Sequence, residues 1–93
     1  MQEKLTERKL AEAVKSAGGM CPKFVSPGLD GMPDRIVLLP DGKIGFVEVK
    51  AAGKAPRALQ FRRHEQLRAL GQKVFLLDRA EQIGRIIDEI QAT

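Results

Sequence analysis

Hydrophobic positions along the chain change period several times, and each change marks an element. Leu10, Val14 and Ala17 recur at helical spacing and predict a helix over about residues 4–17, ended by Gly18-Gly19. Lys23-Phe24-Val25, bounded by Pro22 and by Ser26-Pro27-Gly28, is a short candidate strand. From Gly31 to Lys50 two apolar runs flank Leu39-Pro40-Asp41-Gly42-Lys43, a turn sequence in which Pro40 presets φ and Gly42 can take φ > 0. After a loop over 51–57, a helix is expected from Pro56 to about Leu70, with Leu59, Leu67 and Leu70 inward and Gly71 as its stop. Val74 to Leu77 is fully apolar, as in a central or parallel strand. Asp78 with Glu81 predicts a capping box, and Ile83, Ile86, Ile87 and Ile90 form the stripe of a last helix. The order is α-β-β-β-α-β-α, an α/β fold in one domain over residues 1–93.

The hairpin has a consequence for chemistry. In a three-residue loop closed by left-handed Gly42, Leu39 pairs with Lys43, Ile36 faces Phe46, and Asp34 falls opposite Glu48. Strand period puts Lys50 on the face of Glu48, so that face is apolar near the turn and charged at its open end. Opposed carboxylates repel, and a divalent cation would relieve them. A two-residue loop would shift the register and send Asp34 and Glu48 to opposite faces, leaving a solvated strand start and an exposed Glu48–Lys50 pair. Gly45, opposite Val37, allows a close approach on the other face or marks a bulge. Glu7 shares the inward stripe of the first helix with Leu10 and Val14, where a carboxylate needs a partner.

Charge extends the picture. There are 16 basic and 12 acidic residues, and setting Glu7, Asp34 and Glu48 apart as one site leaves nine acids against 16 bases. A basic surface around an acidic pocket suits a polyanion cut with the help of a metal. Lys54 and Arg57, with Arg62, Arg63 and Arg68 on the following helix, form a basic rim suited to a DNA backbone. With no Trp or Tyr and four Phe, base stacking is not expected to dominate recognition. His64, one turn after Gln60 on the same helical stripe, is expected to be structural or to touch phosphate. The single cysteine, Cys21, forms no internal disulfide, and the charged start of the chain lacks a signal-peptide core; both suit the cytoplasm, and no apolar run is long enough for a membrane span.

Pro33-Asp34 followed by Glu48-Val49-Lys50 resembles the PD-(D/E)xK nuclease signature. Gly31-Met32-Pro33-Asp34-Arg35, the glutamate variant Glu48-x-Lys50, and Gln60 after a short basic loop are similar to the virus-type replication-repair nucleases (VRR-NUC), stand-alone phage and bacterial type. The resemblance runs from Glu7 through Gln60 and implies a restriction-endonuclease-like core, a mixed central sheet flanked by helices. It implies Mg²⁺ or Mn²⁺ held by Glu7, Asp34, Glu48 and the Val49 carbonyl, with Asp34, Glu48, Lys50 and Gln60 catalytic. It further implies a DNA endonuclease with Lys54, Arg57, Arg62, Arg63 and His64 toward the DNA. Stand-alone members resemble the dimeric junction resolvases, so the expected substrate is branched, Holliday junction-type DNA cut by a homodimer. The alternative is a non-catalytic or RNA-directed basic binding module on the same fold.

Overall fold

The computed structural model describes residues 3–92; Met1, Gln2 and Thr93, the ends of the expected 1–93 domain, lie outside the described residues. Six α-helices and β-strands follow in the order α1 (Glu3–Ser16), β1 (Arg35–Leu39), β2 (Lys43–Val49), α2 (Ala58–Ala69), β3 (Val74–Leu77) and α3 (Ile83–Gln91), with 3₁₀ turns at Pro40–Gly42 and Ala80–Gln82. The sheet order is β1-β2-β3, with β1 antiparallel and β3 parallel to the central β2. The mixed α/β architecture is as expected.

The hairpin takes the three-residue loop and its register: Leu39 pairs with Lys43, Leu38 with Ile44 and Ile36 with Phe46. Its turn differs in one detail. Asp41 as well as Gly42 has positive φ, +68° and +73°, and aspartate is one of the few side chains that tolerates this region.

One face of the sheet is dry. Val37, Leu39, Val47, Val49 and Leu77 pack with Leu10 and Val14 of α1 and with Ile83, Ile86, Ile87 and Ile90 of α3. Each such side chain contributes about 1.5–3 kcal/mol by leaving water. The isoleucine stripe of α3 is buried as its spacing predicts. Gly45 lies on this face, and the close approach expected there comes from α3: a Cβ on Gly45 would lie 2.5 Å from Ile90 Cδ1 and 2.7 Å from Ile90 Cγ1. Ile90 is 1% exposed and has no room to retreat. Gly45→Ala is therefore expected to lower stability by about 1–3 kcal/mol, read as a lower urea midpoint with unchanged slope.

Three expectations about the framework are corrected. The candidate strand over 23–25 is reduced to one isolated bridge, Lys23 with Arg35, and a second, Met20 with Leu38, lies before it. Pro22 between them has a carbonyl that accepts from Ile36 N–H but no N–H to give back. The second helix begins at Ala58, and Leu59 and Leu70 are 37% and 77% exposed; its one buried side chain is His64. The cap beyond β3 uses Gln82 rather than Glu81: Gln82 Oε1 accepts from the Asp78 and Arg79 N–H groups, and its Nε2 donates to Asp78 Oδ1 at 2.9 Å. No helix among the described residues is long and apolar enough to cross a membrane.

Candidate active site

The other face of the sheet is where the ionisable residues meet. Asp34 immediately precedes β1, and Glu48 lies near the end of β2, so the register carries them to the same end of the hairpin. Both carboxylate oxygens of Asp34 accept from the Val49 N–H, at 3.3 Å each. That bond closes the mouth of the hairpin just where the ladder ends.

Glu48 is 3% exposed, and α2 covers it. Its Oε2 accepts from Gln60 Nε2 at 3.1 Å and lies 3.3 Å from Lys50 Nζ. The other end of the Gln60 amide, Oε1, accepts from the Arg57 N–H at 2.9 Å. One glutamine thus caps α2 and orients the buried carboxylate, using its donor and its acceptor together. Glu48 Oε1 faces His64 Nε2 at 3.8 Å, too long for a hydrogen bond. Both atoms are buried without a hydrogen-bond partner.

The electrostatics follow from this burial. Loss of water, then the Asp34 carboxylate beside it, pushes the Glu48 carboxyl up to about 7, against the pull of Lys50. Burial and the nearby Arg68 push His64 down, so its ring is neutral near neutral pH. Burial also raises the Cys21 thiol, which suits a packing residue rather than a nucleophile.

Asp34, Glu48, Val49, Lys50 and Gln60 are therefore brought together. Glu7 is held to one side: its Oε2 accepts from Arg35 Nε at 2.8 Å, and Arg35 Nη1 donates to the Cys21 carbonyl at 2.7 Å. Among the described residues no three His, Cys, Asp or Glu side chains converge on one point. On the basic side, Lys54, Arg57 and Arg62 are exposed. Arg63 instead props a loop, donating from Nε to the Asp30 carbonyl at 2.8 Å and from Nη1 to Gln66 at 3.0 Å. Arg68 donates to the Val74 carbonyl and pairs with Glu65. His64, expected to be structural or to touch phosphate, is 2% exposed and presents no face to a ligand outside.

Two residues with a part in the site escape a reading by sequence. Arg35 belongs to the signature, but its pairing with Glu7 depends on how α1 crosses the hairpin. Asp78 accepts from the Gly53 N–H at 3.2 Å, which tethers the loop carrying Lys54; this bond, with that from Gln82, holds its carboxyl below the usual range. Its place before the cap was the available signal, and it pointed to the helix only.

The donor set fits a hard divalent cation. Asp34 and Glu48 offer carboxylate oxygens, as Mg²⁺ and Mn²⁺ prefer. The unpartnered Oε1 of Glu48 is a buried acceptor with coordination to spare, and such an atom is costly unless something occupies it.

No family model matches the chain. It is 50% identical over 78 residues, 84% of either chain, to "Putative nuclease p44" of Acyrthosiphon pisum secondary endosymbiont phage 1. It superposes on a solved "VRR_NUC domain" with a TM-score of 0.87 and 34% identity, over 92% of this chain and 94% of that one. With hairpin, carboxylates, lysine and glutamine in the order that the resemblance requires, the chain belongs to the virus-type replication-repair nuclease (VRR-NUC) family and is a nuclease.

Proposed function

We propose that this nuclease hydrolyses phosphodiester bonds in DNA with Mg²⁺ or Mn²⁺, and that it acts on branched, four-way DNA as a homodimer. The observation that carries the reading is the state of Glu48: buried, oriented by Gln60, beside Asp34, and with one oxygen unused. Asp34, Glu48 and the Val49 carbonyl would hold the cation, with Glu7 joining them on release from Arg35. When bound, such a cation supplies an acidified water and a counter-charge for the phosphate. Lys50 orients or deprotonates the attacking water, or sets its ammonium against charge building on the phosphate. Gln60 keeps the Glu48 carboxylate from rotating. Lys54, Arg57 and Arg62 receive the flanking backbone, where contacts position the strand without reading sequence.

Branched DNA and pairing of two chains are supported by size and surface. A single small module covers roughly 600–1,000 Å² of DNA-facing protein, and two symmetric sites suit two strands cut at matched positions. Met20 bridges to Leu38, and Leu38 pairs with Ile44, so the three form an apolar row across the open face of the sheet. Met20 is 62% and Ile44 40% exposed. A second copy would cover this row. Ile44→Glu is expected to convert a dimer to a monomer, shifting the sedimentation coefficient while the helical circular dichroism stays unchanged; a monomeric wild type would overturn the pairing.

The test of the reaction uses a labelled four-way junction, a flap and plain duplex, each with Mg²⁺, Mn²⁺ or EDTA. The junction should be cut with either metal and spared in EDTA, at least about tenfold faster than duplex, a difference of 1.4 kcal/mol in barrier. Cutting that survives EDTA would remove the metal, equal cutting of duplex would remove the branch preference, and binding without cutting would favour the non-catalytic module.

A further inference from the structure

Beside the carboxylates lies a cavity of about 370 Å³ between the loop before β1 and the first turn of α2, lined by Asp30, Gly31, Met32, Arg57, Leu59 and Gln60. It is at the small end of the size range of ligand cavities. We propose that it receives one unstacked nucleobase next to the scissile phosphate, held between Met32 and Leu59 with Asp30 at its polar edge. This rests on the DNA reading above and narrows the substrate to strands with an unpaired nucleotide at the cut.

The placement follows from Gln60, which lines the cavity and also donates to Glu48. A phosphate at Lys50 and Glu48 therefore leaves its own or the next nucleotide at the cavity mouth. The lining suits a base better than a second phosphate. Met32 and Leu59 give apolar walls to the faces of a ring, and the exposed Asp30 carboxylate would repel a phosphate but accepts from an exocyclic amine. Arg57 stands at the rim, where its guanidinium can stack or meet the backbone. The cavity is formed in advance. Gly31, at φ +87°, lies so close to α2 that a Cβ there would be 3.0 Å from the Leu59 carbonyl oxygen, Leu59 Cγ and Arg63 Cγ. Arg63 then ties the loop down through the Asp30 carbonyl. A base in duplex cannot reach such a pocket without leaving its stack, so a branch point with loosened pairs enters most readily.

The test reads base unstacking directly and needs no cleavage. Four-way junctions carry 2-aminopurine at single positions within three nucleotides of the branch and are bound to the protein in EDTA. One position should brighten severalfold on binding, and an abasic nucleotide there should weaken binding about tenfold, as expected for the loss of one base's apolar burial. Leu59→Trp, which fills the cavity from an exposed position, should abolish the brightening while overall affinity falls by no more than the abasic effect. Asp30→Ala should weaken binding when adenine, cytosine or guanine stands at that position and leave it unchanged when thymine does. Bound DNA with no bright position, or brightening untouched by Leu59→Trp, overturns the pocket and leaves the nuclease reading standing if Mg²⁺-dependent cutting persists. Failure both to bind DNA in EDTA and to cut it with Mg²⁺ overturns both.

Discussion

Asp34→Asn is expected to slow phosphodiester cleavage about a thousandfold at saturating Mg²⁺ while DNA binding is kept or slightly tightened. A cation held by carboxylates stabilises the transition state by several kcal/mol, and each 1.36 kcal/mol is a factor of ten. Asparagine retains one oxygen to accept from the Val49 N–H, so the hairpin mouth stays closed. What it removes is one negative charge from the pair with Glu48, and with it much of the attraction for Mg²⁺. Removing negative charge beside a phosphate backbone does not weaken DNA binding. Lys50→Ala should cost about 10²–10³-fold by loss of a charge aimed at the reacting phosphate. Lys50 also opposes the rise in the Glu48 pKa of the metal-free protein, so its removal should move the ascending limb of the pH–rate profile at subsaturating Mg²⁺ to higher pH, which Asp34→Asn should not do. Single-turnover cleavage against pH and a parallel gel-shift titration separate these effects. Full activity in Asp34→Asn would defeat the assignment of the site.

The parts of this structure legible from sequence are those fixed by short-range rules. Pro40, Asp41 and Gly42 determine the loop length, loop length determines register, and register brings Asp34 to Glu48. The stripes of α1 and α3 follow from one amphipathic face meeting one sheet face. The second helix departs from its expected leucine face for a physical reason. It is not amphipathic in the ordinary sense, because the residue it buries is His64 rather than a leucine. Its inward contacts are polar ones, Gln60 and His64 toward Glu48, and hydrophobic periodicity carries no record of these. The Glu7–Arg35 pair is not legible in the sequence for the same kind of reason. The stripe put Glu7 on the inward face, but which partner it meets depends on how α1 crosses the hairpin. The segment over 23–25 shows the limit of strand propensity: Pro22, just before it, accepts from Ile36 N–H but has no N–H to return, so the pairing with β1 stays as isolated bridges.

Glu48→Gln should abolish cleavage and yet stabilise the metal-free protein above neutral pH. The folded-state pKa is about 7, raised from an ordinary 4.5. Below pH 4.5 the carboxyl is protonated in folded and unfolded chains alike and costs nothing. Between 4.5 and 7 the unfolded chain has shed the proton that the folded chain keeps, so stability falls as pH rises. Above 7 the burial of charge costs about 3 kcal/mol in full. Glutamine removes that cost. Its oxygen can still accept from Gln60 Nε2, and its amide N–H₂ points toward the neutral His64 Nε2, 3.8 Å from the present Oε1. Two buried atoms now without partners could then satisfy each other. Urea unfolding in EDTA should show the variant more stable by up to about 3 kcal/mol at pH 8 and by much less at pH 5. Added Mg²⁺ should reverse the order at pH 8, because a cation bound to the folded wild type stabilises it by mass action and finds no carboxylate at this position in the variant. A variant less stable than wild type at pH 8 in EDTA would mean that Glu48 is not held against its own ionisation. The site's readiness for a cation, which rests on a charge buried before its partner arrives, would then need another source.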